Sequence, residues 1–290
     1  MNKYLALIFS SGLIIGLSMA CLAIITNILL SEPISLNSAL VWFSMTSGLY
    51  AANRLIESDK DAAIDNAISS AVAANKSVLT VFSVGLTLLG LILSFQESLE
   101  LGLLVILSIL YLALYTTNLS KIPFKKGGKR LKDYLGVKSL MVGIGLSFVV
   151  LYTGNCFHTS SLIALALLYF RTILNEAMNT IIYDMKDLEA DRINGVNTLP
   201  ITLGVKKTKY ILHSLNGIVT SLTLAGFLFN LFPVYCLGLL VSFPYFAFLI
   251  EYIVYEPYRR GHLYFQYILL DGAYVAIVPC VLLFARLWLH

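Results

Sequence analysis

At 290 residues, 58% of them hydrophobic and only 12% charged, with a mean hydropathy of +0.83, the chain falls outside the soluble globular class, whose charged fraction is roughly twice as large. The formal net charge of +4 is small, so no nucleic acid is expected as a partner and the expected solvent is the lipid bilayer. Cys21, Cys156, Cys236 and Cys280 stand within or beside apolar runs with no C-x-x-C pair, which excludes a disulfide framework and a zinc site.

A spanning helix needs roughly 20 mostly apolar residues. In chain order the segments that qualify are 4–30, 36–57, 77–95, 99–116, 134–153, 160–184, 210–230, 233–252 and 266–287. The first follows Lys3 and continues too far for a signal-peptide core, so it reads as a membrane helix. No linker or shift of composition divides the chain. The expected fold is therefore an all-α integral membrane protein: one domain over 1–290, a bundle of nine transmembrane helices. Gly12 and Gly16, and Gly143 and Gly145, are small residues that would let helices approach closely.

Charge placement orients the bundle. With the N-terminus in the cytoplasm, the loops at 58–76, 117–133, 185–209 and 253–265 face the same side and carry most of the Lys and Arg. The opposite loops are short and carry none, and only Arg286 falls near that face. This is the positive-inside pattern, and it predicts a multi-pass protein of the cell (cytoplasmic) membrane.

The same topology brings two acidic stretches to one face. Asn53, Glu57 and Asp61 step by four residues, each about 40° around a helix from the last, and form a polar stripe that starts at membrane depth. Far downstream, YDMKDLEADRINGVNTLPITLG (Tyr183 to Gly204) packs Asp184, Asp187, Glu189 and Asp191 into eight residues. Spacings of three and four put Asp184, Asp187 and Asp191 on one helical face, where they repel unless a cation intervenes. Between the stretches lies the basic run SKIPFKKGGKRLKD, with Lys121, Lys125, Lys126, Lys129, Arg130 and Lys132. Mg²⁺ takes oxygen ligands, one or two carboxylates completed by water and substrate phosphates. Two facing carboxylate clusters beside basic residues suit a phosphate-bearing substrate held through metal ions.

The stretch from Tyr183 to Gly204 resembles the second motif of the UbiA superfamily of intramembrane prenyltransferases, N-D-x-x-D-x-E-x-D-x-x-x-G-V-x-T-L-P followed by Leu-Gly. Asn53-x-x-x-Glu57-x-x-x-Asp61 is similar to that family's first motif. The resemblance implies nine membrane helices around a central cavity opening near the cytoplasmic face. It also implies Mg²⁺-dependent transfer of an isoprenyl group from a polyprenyl diphosphate to a lipophilic or aromatic acceptor, through ionisation of the diphosphate. Carried over residue by residue, Asn53, Glu57, Asp61, Asp184, Asp187 and Asp191 would hold metal, with Asp61, Asp187 and Asp191 catalytic. Asn53, Arg54, Tyr115 and Lys121 would bind the diphosphate. Departures mark a divergent branch: Glu57 replaces the usual Asp, Arg54 stands where Asp is frequent, and Tyr183 replaces the first Asn or Asp of the second motif.

Arg171, Asn175 and Asn179 step by four along the sixth span and could line an acceptor pocket or bond between helices. Lys138 could reach a phosphate or snorkel to the surface, the second being the expectation, and Asp271 either pairs with a buried partner or touches the acceptor. His262 reads as a loop residue. A terpene cyclase could use the same metal site without a second substrate. A cation-coupled transporter is the rival of another class, but it calls for inverted repeats and broken helices at mid-membrane, for which the sequence gives no clear sign.

Overall fold

In hydrocarbon the backbone has no water to bond, so each apolar run must satisfy its own N–H and C=O groups as a helix. The computed structural model describes residues 3–61, 66–116, 136–159, 161–193, 196–255 and 263–288. The side chains at 3–6, 57–61, 66–69, 115–116, 190, 254–255, 263–264 and 288 lie outside that description. Every described element is helical: fourteen α-helices and one 3₁₀ segment.

The first expected span is two helices, α1 (Lys3–Ser10) and α2 (Leu13–Leu29). The break has a local cause. Ser10 and Ser11 turn their hydroxyls back onto the carbonyls of Leu7 and Ile8, and Gly12 takes φ +71°, a conformation costly for any residue with a Cβ. A Cβ there would also meet Tyr50 Cβ at 2.8 Å. The second span is α3 (Leu36–Asp61), longer than expected by one turn. Downstream, part of the stretch read as a loop is helical, α4 (Asn66–Ala74). Its Val72 joins Phe9, Leu79 and Tyr267 in a small core separate from the main one.

Next come α5 (Lys76–Glu97), α6 (Leu99–Thr116), α7 (Val137–Thr153) and α8 (Leu162–Lys186). On α5 the buried residues are Leu79, Ser83, Gly90 and Ser94, while Val81, Leu88 and Ile92 are exposed. Small residues inward and branched aliphatics outward is the pattern of a helix in lipid. The Ser83 hydroxyl donates to the Gly48 carbonyl of α3 at 2.7 Å, which shows how close the two backbones run. The contact of α7 with α8 is equally tight: a Cβ on Gly143 would lie 2.5 Å from the Ile173 carbonyl oxygen.

Two short helices, α9 (Leu188–Ile193) and α10 (Leu199–Leu203), lead into α11 (Val205–Leu228). The eighth span begins as the 3₁₀ segment Val234–Val241 and continues as α12 (Ser242–Tyr255). The ninth is also divided, into α13 (Leu263–Asp271) and α14 (Ala273–Trp288), bent by 53° at Gly272. Among the described residues, Lys76–Glu97, Val205–Leu228 and Val234–Ile253 are long and apolar enough to cross a bilayer, and the bent pair qualifies as a fourth. Leu13–Leu29, Leu99–Leu114 and Val137–Thr153 are apolar but shorter.

Candidate active site

The second acidic stretch does not form one continuous helix. α8 stops at Lys186, Asp187 caps it with φ −95° and ψ 13°, and α9 resumes at Leu188. The i→i−4 bonds nevertheless bridge the interruption, Asp187 N to Tyr183 O and Asp191 N to Asp187 O, both 2.9 Å. The three carboxylates thus stay near one another but in unlike surroundings. Asp184 and Asp191 are buried, whereas a third of the Asp187 side chain is exposed.

Their partners differ too. Lys138, from the first turn of α7, does not snorkel away: its Nζ lies 2.5 Å from Asp184 Oδ1. The buried Lys186 Nζ lies 2.6 Å from Asp187 Oδ1 and sits over the rings of Tyr267 at 4.4 Å and Tyr183 at 5.5 Å. The mutual repulsion expected from three acids in a row is therefore relieved at two of them by lysines. Asp191 has no lysine in contact among the described residues. Its Oδ2 is buried without a hydrogen-bond partner among the described residues. Burial, reinforced by Asp184 and Asp187 against Lys138 and Lys186, pushes its carboxyl up to about 6.

On α3, Asn53 Oδ1 is likewise buried without a described partner. Arg54 donates to the Tyr50 hydroxyl at 2.9 Å and lies over that ring. Asp271, at the last residue of α13, accepts a hydrogen bond from the Tyr183 hydroxyl, and Arg54 and Lys186 both act on its charge. Tyr183, the residue that departs from the family pattern, thus has its counterpart in the ninth span. The pairing was not visible in sequence; the one signal was an acid stranded in an apolar segment. Of the other expected site residues, the side chains of Glu57, Asp61 and Tyr115 and all of Lys121 lie outside the described residues, as does His262.

Among the described residues no three His, Cys, Asp or Glu side chains converge as a closed metal cage. Mg²⁺ takes one or two carboxylates and keeps sites for water and phosphate oxygens. The oxygens of Asn53 and Asp191, both hard donors with no hydrogen-bond partner among the described residues, fit such an ion.

Arg171, Asn175 and Asn179 bond between helices. Arg171 Nε donates to Thr223 Oγ1 of α11 at 2.8 Å, Asn175 Nδ2 to the Tyr274 hydroxyl of α14 at 3.0 Å, and Asn179 Nδ2 to the Leu270 carbonyl at 3.2 Å. None of the three lines the apolar cavity of about 230 Å³ that lies between α2, α3, α6 and α7. That cavity is walled by residues including Trp42, Met45, Leu49, Leu112 and Leu146, with Tyr50 and Asn53 among its lining.

The family model described as the UbiA prenyltransferase family matches residues 12–287. The chain belongs to that family, and with its apolar helices it is a multi-pass membrane protein. Digeranylgeranylglyceryl phosphate synthase of Methanococcoides burtonii is 31% identical over 156 residues, 54% of this chain and 51% of that protein. The synthase of the same description from Methanosarcina mazei is 28% identical over 130 residues, 45% of this chain and 41% of that protein. The chain spans about half the length of the curated relatives it matches. Among solved structures, a UbiA homolog from Archaeoglobus fulgidus bound to GPP and Mg²⁺ superposes with a TM-score of 0.63 at 14% identity, over 97% of this chain and 99% of that one. A structure of digeranylgeranylglyceryl phosphate synthase gives 0.59 at 21% identity, over 98% and 97%. These superpositions are likenesses of fold.

Proposed function

We propose that this chain is a Mg²⁺-dependent membrane prenyltransferase that moves an isoprenyl group from a polyprenyl diphosphate to a lipid acceptor. The observation that carries the reading is that Asn53 Oδ1 and Asp191 Oδ2, one in each acidic motif, are buried without a hydrogen-bond partner among the described residues. Asn53, Glu57, Asp61, Asp184, Asp187 and Asp191 are the residues we assign to the metal ions. Arg54, Tyr115 and Lys121 are assigned to the diphosphate. Bound Mg²⁺ would draw charge from the diphosphate oxygens and make it a better leaving group. The chain's own part is electrostatic: Lys138 and Lys186 hold Asp184 and Asp187 in place and limit their repulsion. Around them Tyr183 and Tyr267 offer aromatic faces, the kind of surface that stabilises a nearby cation.

In the bilayer we read nine spans in a single domain over 1–290, with the N-terminus and the site at the cytoplasmic face, where the basic loops lie. The acceptor we favour is a prenylated glycerol phosphate, supported by the names of the relatives. Purified protein in lipid nanodiscs, given Mg²⁺, a polyprenyl diphosphate of three or four isoprene units and geranylgeranylglyceryl phosphate, should release pyrophosphate and form a doubly prenylated product. Pyrophosphate release without acceptor, with a cyclic hydrocarbon formed, would replace this reading by a cyclase. No release with any acceptor, phenolic acids and tetrapyrroles included, would remove the transferase reading.

A further inference from the structure

The cavity beside Asn53 is elongated along α3, where it touches Trp42, Met45, Thr46, Leu49, Tyr50 and Asn53. From position 53 down to position 42 is about 16 Å of helix at 1.5 Å per residue. Asn53 is polar, with an orphaned oxygen; at the other limit stands the largest side chain of the lining. Trp42 is buried, and its ring meets Tyr152 edge-on with centroids 5.9 Å apart. The Tyr152 hydroxyl donates to Glu97 Oε2 at 2.9 Å, and the same oxygen accepts from Asn37 Nδ2 at 2.7 Å. The indole is thus backed by a hydrogen-bonded clamp that joins α3, α5 and α7. The side walls are mostly aliphatic, with Thr46 and Tyr111 among them; the Ser108 hydroxyl is already bonded to the Val105 carbonyl and the Tyr111 hydroxyl to the Met141 carbonyl.

We propose that Trp42 is the floor that sets the length of isoprenyl tail this chain accepts, the tail lying in the cavity with its diphosphate end toward Asn53. The inference rests on the donor class proposed above and adds its size limit. An isoprene unit contributes four carbon–carbon bonds of about 1.5 Å, about 5 Å when extended. The span from Asn53 to Trp42 therefore takes about three units at 1.5 Å of helix rise per residue. A fourth unit has to bend or displace a ring held from behind, and a surplus group in a fixed apolar pocket discriminates by about 10-fold or more.

Trp42 and Trp288 are the chain's only two tryptophans, so Trp288→Phe leaves Trp42 as the sole indole reporter. In nanodiscs with Mg²⁺, thiolodiphosphate analogues that resist ionisation are titrated with tails of two, three and four units. Trp42 emission should shift with three and four units and stay unchanged with two. With cleavable donors of two to five units, kcat/KM should fall about 10-fold beyond three units. Trp42→Ala should move that fall by at least one unit to longer tails, and Ser108→Phe should move it to shorter ones. Should Trp42→Ala not fold, Trp42→Phe keeps an aromatic edge against Tyr152 and should shift the limit the same way. Emission insensitive to tail length, or an unchanged length profile in variants that still turn over, would overturn the proposal. A wild type that releases no pyrophosphate would sink the transferase reading instead, and the emission titration would still decide what occupies the cavity.

Discussion

Asp184 and Asp187 have lysine partners and Asp191 has none among the described residues, so substitutions at the three should separate. Asp191→Asn keeps the shape and removes a charge that the fold does not neutralise. It should leave the melting temperature unchanged or raised, while turnover falls by about 100-fold or more, the scale of losing one preorganised electrostatic group. Lys138→Met should act on stability, because it strands the buried Asp184 without its partner. The expected cost is about 3 kcal/mol, read as a lower melting temperature in detergent. The raised carboxyl of Asp191, about 6, also gives a pH dependence with a definite sign. In the site proposed above the ionised form would be the metal ligand, so protons should compete with Mg²⁺ below about pH 6 and not above it. Calorimetric Mg²⁺ affinity in the presence of an uncleavable donor analogue should be flat from pH 7 to 8. It should weaken by about tenfold per unit below 6, as one displaced proton requires.

The helices that carry these residues are held at short range by small side chains, and α7 against α8 is the contact the site depends on. Gly143→Val would push into the Ile173 carbonyl and pry apart the two helices that bring Lys138 to Asp184. Both stability and turnover should fall together. Beside Tyr50, on the first span, Gly12→Ala meets a positive φ and the Tyr50 side chain at once. It should cost at least about 1 kcal/mol, measurable as earlier thermal unfolding. Hydropathy located the segments that contain these helices, but not their interruptions. The breaks at Gly12, Asp187 and Gly272 arise where a neighbouring helix or a cap competes with continuation, and a window of apolar residues averages over them. α4 was missed for the related reason that AISSAVAA is only weakly apolar and its packing on α1 supplies what its sequence lacks.

Across the whole molecule, a buried polar layer of Arg171, Asn175, Glu176, Thr223 and Tyr274 ties α8 to α11 and α14. Arg171→Met should lower the melting temperature sharply while leaving Mg²⁺ affinity untouched. A selective rise in KM for the acceptor with an unchanged melting temperature would point to an acceptor wall instead. What the sequence by itself determined was the solvent, the positions of the apolar spans, the two acidic motifs and the family they belong to. The first three follow from composition, from period and from spacing, and the family from the resemblance of its two motifs; all of these are local. Only the tertiary structure decided which lysine neutralises which aspartate, that Tyr183 answers Asp271, and that Asn53 borders a cavity reaching to Trp42. The partners in each case come from helices far apart in the chain, 138 with 184 and 183 with 271. In a bilayer the lipid-facing and inward-facing sides of a helix are both largely apolar, so hydropathy alone does not tell which face meets which neighbour.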